Sequence, residues 1–126
     1  KKTSRKADPA TSKAAAHLAL VLKSLDEDKA ADIVSIDLAG KTPIADYMVV
    51  ASGTSARHVA AVAEHLLRRL KEGGYGAAHV EGLRQGDWVL IDSGDVLIHI
   101  FRPEVRDFYK LEKMWSANIP AEQVAV

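Results

Sequence analysis

Residues 47–51, Tyr-Met-Val-Val-Ala, are apolar on both sides of an extended chain, and the small residues Ser52-Gly53-Thr54-Ser55 separate them from a helix-forming run. A strand with one wet face alternates polar and apolar residues, whereas one that is apolar on both sides must be covered twice. Residues 47–51 therefore read as an interior strand of a sheet. The turn that follows supplies a hydroxyl suited to cap a helix N-terminus. Val59, Val62, Ala63, Leu66, Leu67 and Leu70 then form one apolar stripe, with Arg57, Glu64, Arg68, Arg69 and Lys71 outside it. Gly73 and Gly74 stop the helix as left-handed cap residues. A strand, turn and helix joined this closely commit the chain to an α/β fold.

The flanking segments extend that frame. From Ser12 to about Glu27, Leu18, Val21, Leu22 and Leu25 recur at helical spacing, so a surface helix with one buried face is predicted. Residues 33–38 alternate as a strand, and Gly40 to Pro43 form a turn. Three further strands are predicted over 77–80, 88–92 and 96–102, the last two joined as a hairpin at Ser93-Gly94. Pro103 suits the first turn of a closing helix whose mixed face carries Val105, Phe108, Tyr109, Glu112 and Trp115. The expected architecture is a single α/β domain: a mixed sheet of about five strands, flanked by helices, over residues 12–116. Residues 1–11 are expected to be a disordered basic leader and 117–126 a tail. A chain of 126 residues can bury one real core without covalent staples.

Charge and composition remove several classes of function. The chain has no cysteine, so disulfides, thiolate metal sites and thiol catalysis are excluded. Its apolar runs fall far short of the roughly 20 residues that span a bilayer, so no membrane partner is expected. Lys1, Lys2, Arg5, Lys6 and Lys13 against Asp8 leave residues 1–13 at +4, and the remainder of this neutral chain at −4. An acidic body is a poor binder of phosphate backbones. The leader itself could touch RNA, although a short stretch without aromatics or periodicity reads as solvated chain.

Catalytic constellations are weak. Ser52-Gly53-Thr54-Ser55 before a helix could cradle a phosphate, yet it matches neither phosphate-binding glycine motif and reads as an N-cap and tight turn. His17, His58, His65, His79 and His99 lack metal-ligand spacing; His58 and His65 lie two helical turns apart, too far for one ion. Neither a Ser-His-Asp arrangement nor a cofactor or metal site can be assigned. Asp37 and Asp46 bracket a turn, and capping accounts for them. Trp88 stands out because it opens a strand next to Asp87; alternation puts Trp88, Leu90 and Asp92 on one face and Val89 and Ile91 on the other. Burial beneath the closing helix is the competing reading for Trp88, as interior packing is for Met48 and a satisfied position on the sheet is for His99.

Residues 46–59, together with Glu81-Gly82, residues 87–92 and residues 95–101, occur in an order that resembles the Iojap-like ribosomal silencing factor family over roughly residues 14–115. Residues 104–115 are similar to that family's Arg-x-x-Tyr-x-Leu-Glu-x-Leu-Trp pattern, with Met114 in place of the usual Leu, a substitution of similar volume. The resemblance implies a scaffold like that of nucleotidyltransferases but without their paired catalytic carboxylates. Asp87, Asp92 and Asp95 do not restore the pair. It implies a cytoplasmic, ribosome-associated protein that is not an enzyme. Such a protein docks on the large ribosomal subunit at its protein number fourteen, blocks joining of the small subunit and lowers translation when nutrients are scarce. The Lys-rich leader is unlike a transit peptide and points to a bacterial source. Self-association as a homodimer is a further state implied by the family. Met48, Trp88, Leu90, Asp92, Ser93 and His99 are expected to border the docking patch. The alternative from another class is a nucleotidyltransferase or nucleotide-binding protein using the turn from Gly53 to Ser55.

Overall fold

The structure, a computed structural model, describes residues 9–109, with side chains described over 13–106. Helix α1 (Pro9–Glu27) leads into β1 (Ala31–Asp37) and β2 (Tyr47–Ser52). Helix α2 (Ala56–Glu72) follows, then β3 (His79–Glu81), β4 (Trp88–Asp92), β5 (Val96–Phe101) and α3 (Pro103–Tyr109). The predicted order of elements is the observed one. Helix α1 begins three residues before the expected Ser12, at Pro9, because a proline lacks only an N–H that a first helical turn leaves unpaired anyway.

The five strands form one sheet in the order β1-β2-β5-β4-β3. Strands β2 and β5 are parallel and every other neighbouring pair is antiparallel. The parallel pair at the centre is made possible by α2, which carries the chain away from the end of β2 and packs against the sheet. Val49 and Ala51 of β2, Val89 and Ile91 of β4, and Val96, Ile98 and Ile100 of β5 are fully buried against Val21 and Leu25 of α1 and the stripe of α2. Burying each of these larger aliphatic side chains contributes roughly 1.5–3 kcal/mol, so this layer supplies most of the driving force. In the α2 stripe Val59, Val62, Ala63, Leu66 and Leu70 are buried, while Leu67 is half-buried.

The other face of the sheet carries a smaller cluster: Leu38, Ala45, Met48, Val50 and Phe101, joined by half-buried Ile36, Trp88, Leu97 and Val105. Strand β2 is thus covered on both sides, as its doubly apolar run requires. Among the described residues, loop residues Leu38 and Ala45, together with Val105 of α3, provide the cover on this second face.

Helix α2 starts where the turn chemistry places it, with the Ser55 hydroxyl accepting from the His58 amide at 3.1 Å. Its stop differs from the expected pair of left-handed glycines. Gly74 has φ +90°, but Gly73 has φ −81° and sits close to α1: a Cβ there would stand 2.7 Å from Leu20 Cδ1, which would have to give way. The corner between α1 and β1 is clamped onto α2 through Asp28. Its carboxylate accepts from Arg69 Nη1 at 2.9 Å and lies 3.0 Å from His65 Nδ1, while its carbonyl lies 2.9 Å from His58 Nε2.

Candidate docking face

Alternation along paired strands decides which side chains share the face opposite the long helices. In the β4–β5 hairpin Trp88 pairs with Phe101, Leu90 with His99 and Asp92 with Leu97. In the β2–β5 pair Met48 meets Leu97, Val50 meets His99 and Ser52 meets Phe101. His99 therefore sits in the middle of the face. Its ring lies parallel to Phe101, with centroids 5.9 Å apart, and Trp88 Nε1 donates to its Nδ1 at 3.0 Å. The indole also packs on Phe101, with centroids 4.9 Å apart and planes tilted by 45°, a favourable aromatic geometry.

Two devices fix this end of the sheet. Gly82, at φ +82°, passes close behind Trp88, where a Cβ would collide with the Trp88 carbonyl oxygen. Arg102, just before α3, pairs with Asp87 at 2.9 Å, and within α3 Arg106 Nη1 donates to the buried Ser52 hydroxyl at 2.9 Å. Beside Trp88 lies a shallow groove of ≈ 460 Å³ lined by His79, Glu81, Gly82, Trp88, Leu90 and Asp92. Its floor is apolar and aromatic, and its rim carries two carboxylates.

Five of the six expected patch residues share this face, but not in equivalent ways. Trp88 and Leu90 are half-buried and Asp92 is exposed, with one carboxylate oxygen accepting from the Gly94 amide at 3.0 Å. His99 is 7% exposed. Met48 does not border the patch: at 4% exposure it is enclosed by Leu38, Ala45, Val50 and Phe101, so the interior-packing reading prevails for it. Ser93 leaves the face altogether. Its hydroxyl points beneath α1, lying 2.9 Å from His17 Nε2 and donating to the Val96 carbonyl at 3.0 Å. Burial depresses the pKa of His99 to about 4, so the ring is neutral at physiological pH. The competing reading for Trp88, burial against the closing helix, is met in part: Val105 of α3 packs on the same small cluster as Trp88.

The structure also assembles what the sequence could not: Ser93, His17 and Asp95 stand together, although His17 and Ser93 are 76 residues apart. His17 is 2% exposed and stacks on Tyr75, with centroids 4.2 Å apart. The arrangement is not a nucleophile with its base. The single hydroxyl proton of Ser93 goes to the Val96 carbonyl, so Ser93 accepts from His17 Nε2–H. Asp95 Oδ2 lies 3.8 Å from Nδ1, too long for a well-formed hydrogen bond, and favours the charged ring chiefly through its own charge. Burial lowers the His17 pKa, opposed by Asp95 and reinforced by Lys13. The cluster buttresses α1 against the β4–β5 turn.

At the turn before α2, Gly53 N donates to the Phe101 carbonyl, Thr54 N to His58 Nδ1, His58 N to the Ser55 hydroxyl and Val59 N to the Ser55 carbonyl. Those amides are engaged within the fold, as the capping reading requires. Asp37 also caps, its carboxylate accepting from Ala39 N at 2.9 Å. Among the described residues, no group of three His, Asp or Glu side chains could hold a metal ion, and no helix is long and apolar enough to cross a membrane. The sequence signal that could have found the Trp88–His99 bond is the hairpin itself: a three-residue connection after Asp92 sets Leu90 opposite His99 and brings Trp88 diagonally beside it.

Comparison with known proteins adds a separate line. Residues 10–125 match the family model described as "Ribosomal silencing factor during starvation". The chain is 53% identical over 106 residues to the ribosomal silencing factor RsfS of Zymomonas mobilis, covering 84% of this chain and 80% of that protein. It is 33% identical to the mouse "mitochondrial assembly of ribosomal large subunit protein 1", over 84% of this chain and 48% of that protein. A crystal structure of a Chromobacterium violaceum protein superposes with a TM-score of 0.75 at 38% identity, covering 81% of this chain and 85% of that one.

Proposed function

The chain belongs to the ribosomal silencing factor family, and from that premise we propose that it docks on the large ribosomal subunit, at its protein number fourteen, through the open face of its sheet. Occupying that site obstructs joining of the small subunit and so represses translation; no bond is made or broken. The name of the mouse relative, which refers to mitochondrial assembly of the ribosomal large subunit, supports the choice of subunit. The reading places the protein in the cytoplasm of a bacterium.

The observation that carries the proposal is the asymmetry of the sheet. Among the described residues, one face is sealed by α1 and α2, whereas the other leaves Trp88, Leu90 and Leu97 half-buried around His99, with Trp88 held by Phe101 and His99. An aromatic anchor preset by its neighbours loses little freedom on binding, and such residues carry interface energy out of proportion to their number. The carboxylates of Glu81 and Asp92 at the groove rim, on a body of net charge −4 over residues 14–126, suit a basic ribosomal protein and speed its encounter.

Co-sedimentation with isolated large and small subunits tests this. The chain should migrate with the large subunit and not the small one, and a folded Trp88→Ala variant should bind more weakly by on the order of 2 kcal/mol. Equal recovery of wild type and variant with the large subunit would remove Trp88 from the interface.

A further inference from the structure

Deepening the docking reading and resting on it, we infer that His99 is a fixed hydrogen-bond donor of the open face, presenting Nε2–H to a main-chain carbonyl oxygen of the docked protein. An indole nitrogen can only donate, so the 3.0 Å bond from Trp88 Nε1 obliges His99 Nδ1 to be the bare acceptor nitrogen. A neutral imidazole then carries its proton on Nε2. The parallel Phe101 ring and the Trp88 bond together fix the plane of the imidazole, and with it the direction in which Nε2–H points.

That N–H has no acceptor among the described residues, since the Trp88 bond is the hydrogen bond His99 makes. The residue is nevertheless 7% exposed and lies at the centre of the face. Buried donors are almost always paired, and one left without an acceptor costs more free energy than a typical hydrogen bond contributes. A surface that covers the face removes the remaining water, so it must bring an oxygen to this point or bind poorly. The acceptor is a neutral one. Glu81 and Asp92 line the adjoining groove and the body is acidic, which disfavours a carboxylate or phosphate there. Among neutral acceptors, the main-chain carbonyl is the one every segment of a protein partner carries.

The test separates donation to the partner from support of Trp88. In His99→Asn the side-chain oxygen reaches the position of Nδ1 and can still accept from Trp88, but nothing reaches the position of Nε2. Affinity for isolated large subunits should fall about tenfold while Trp88 fluorescence of the free variant stays as in wild type. Wild-type affinity in this variant would overturn the inference and leave the docking reading standing. Long-range proton–nitrogen correlation spectra of the free wild-type chain provide a check that needs no variant. They should show Nε2 protonated and Nδ1 bare at neutral pH, and the opposite tautomer would overturn the inference even if the Asn variant failed to fold. Failure of the wild-type chain to bind large subunits would instead remove the docking reading itself, whichever tautomer is seen.

Discussion

Trp88 and His99 depend on each other in a way that makes both sensitive to acid. Burial opposes charge on His99, which is why its pKa lies near 4 and not at its ordinary 6.5, and a protonated ring could no longer accept from the indole. The unfolded chain therefore binds that proton more readily than the folded one. The resulting contribution to stability is complete above about pH 6.5, declines as pH falls through the window to about 4, and is worth on the order of 3 kcal/mol. His17 is shifted in the same direction by burial and adds to the loss. Urea unfolding at pH 7.5, 5.5 and 4.5 should show falling stability, with a weaker decline in His99→Asn; a flat profile would contradict the assignment. Met48 makes the contrasting case. Its truncation to Ala should cost 2–5 kcal/mol of stability with unchanged affinity in the fraction that stays folded, because the side chain is enclosed. Interior packing was one of two readings the sequence offered for Met48, and alternation could not decide between them because it gives a face but not what covers it. Ser93 sits in the turn, where alternation has already ended.

The junction from β2 to α2 was legible almost to the residue because several signals agree there: a doubly apolar run, a hydroxyl cap and a helical stripe. Gly53 adds a constraint the pattern did not show, as a Cβ there would stand 2.7 Å from Val59 Cγ2. Ser55→Ala should lower stability by about 1 kcal/mol, read by denaturant unfolding, without changing affinity for the large subunit. A loss of affinity in that variant would mean that the turn itself meets the partner. The start of α1 was missed because Pro9-Ala10-Thr11-Ser12 carries no apolar periodicity, and the strand over 77–80 is observed at 79–81 because three residues give alternation little to act on. The link from α1 to the β4–β5 turn through His17 and Ser93 spans too much sequence for any local pattern to reveal it. The expected continuation of the closing helix to Trp115, like residues 1–8 of the basic leader, lies outside the described residues.

Among the described residues, α1 and α2 seal one side of the sheet and the other side is only partly covered, and that second side is the one proposed to dock. The acidic body of the chain implies a further expectation: association with the large subunit should slow as salt rises from 50 to 300 mM, while dissociation changes less, since steering by opposite charge acts on encounter. Association rates indifferent to salt would remove charge complementarity from the account. The most direct test of obstruction is light scattering on mixing purified large and small subunits after the large subunit has been incubated with increasing amounts of the protein. The joined-particle signal should fall with added wild-type chain, and Trp88→Ala should require a proportionally higher concentration. Joining that proceeds undiminished with the large subunit saturated by the protein would contradict the account.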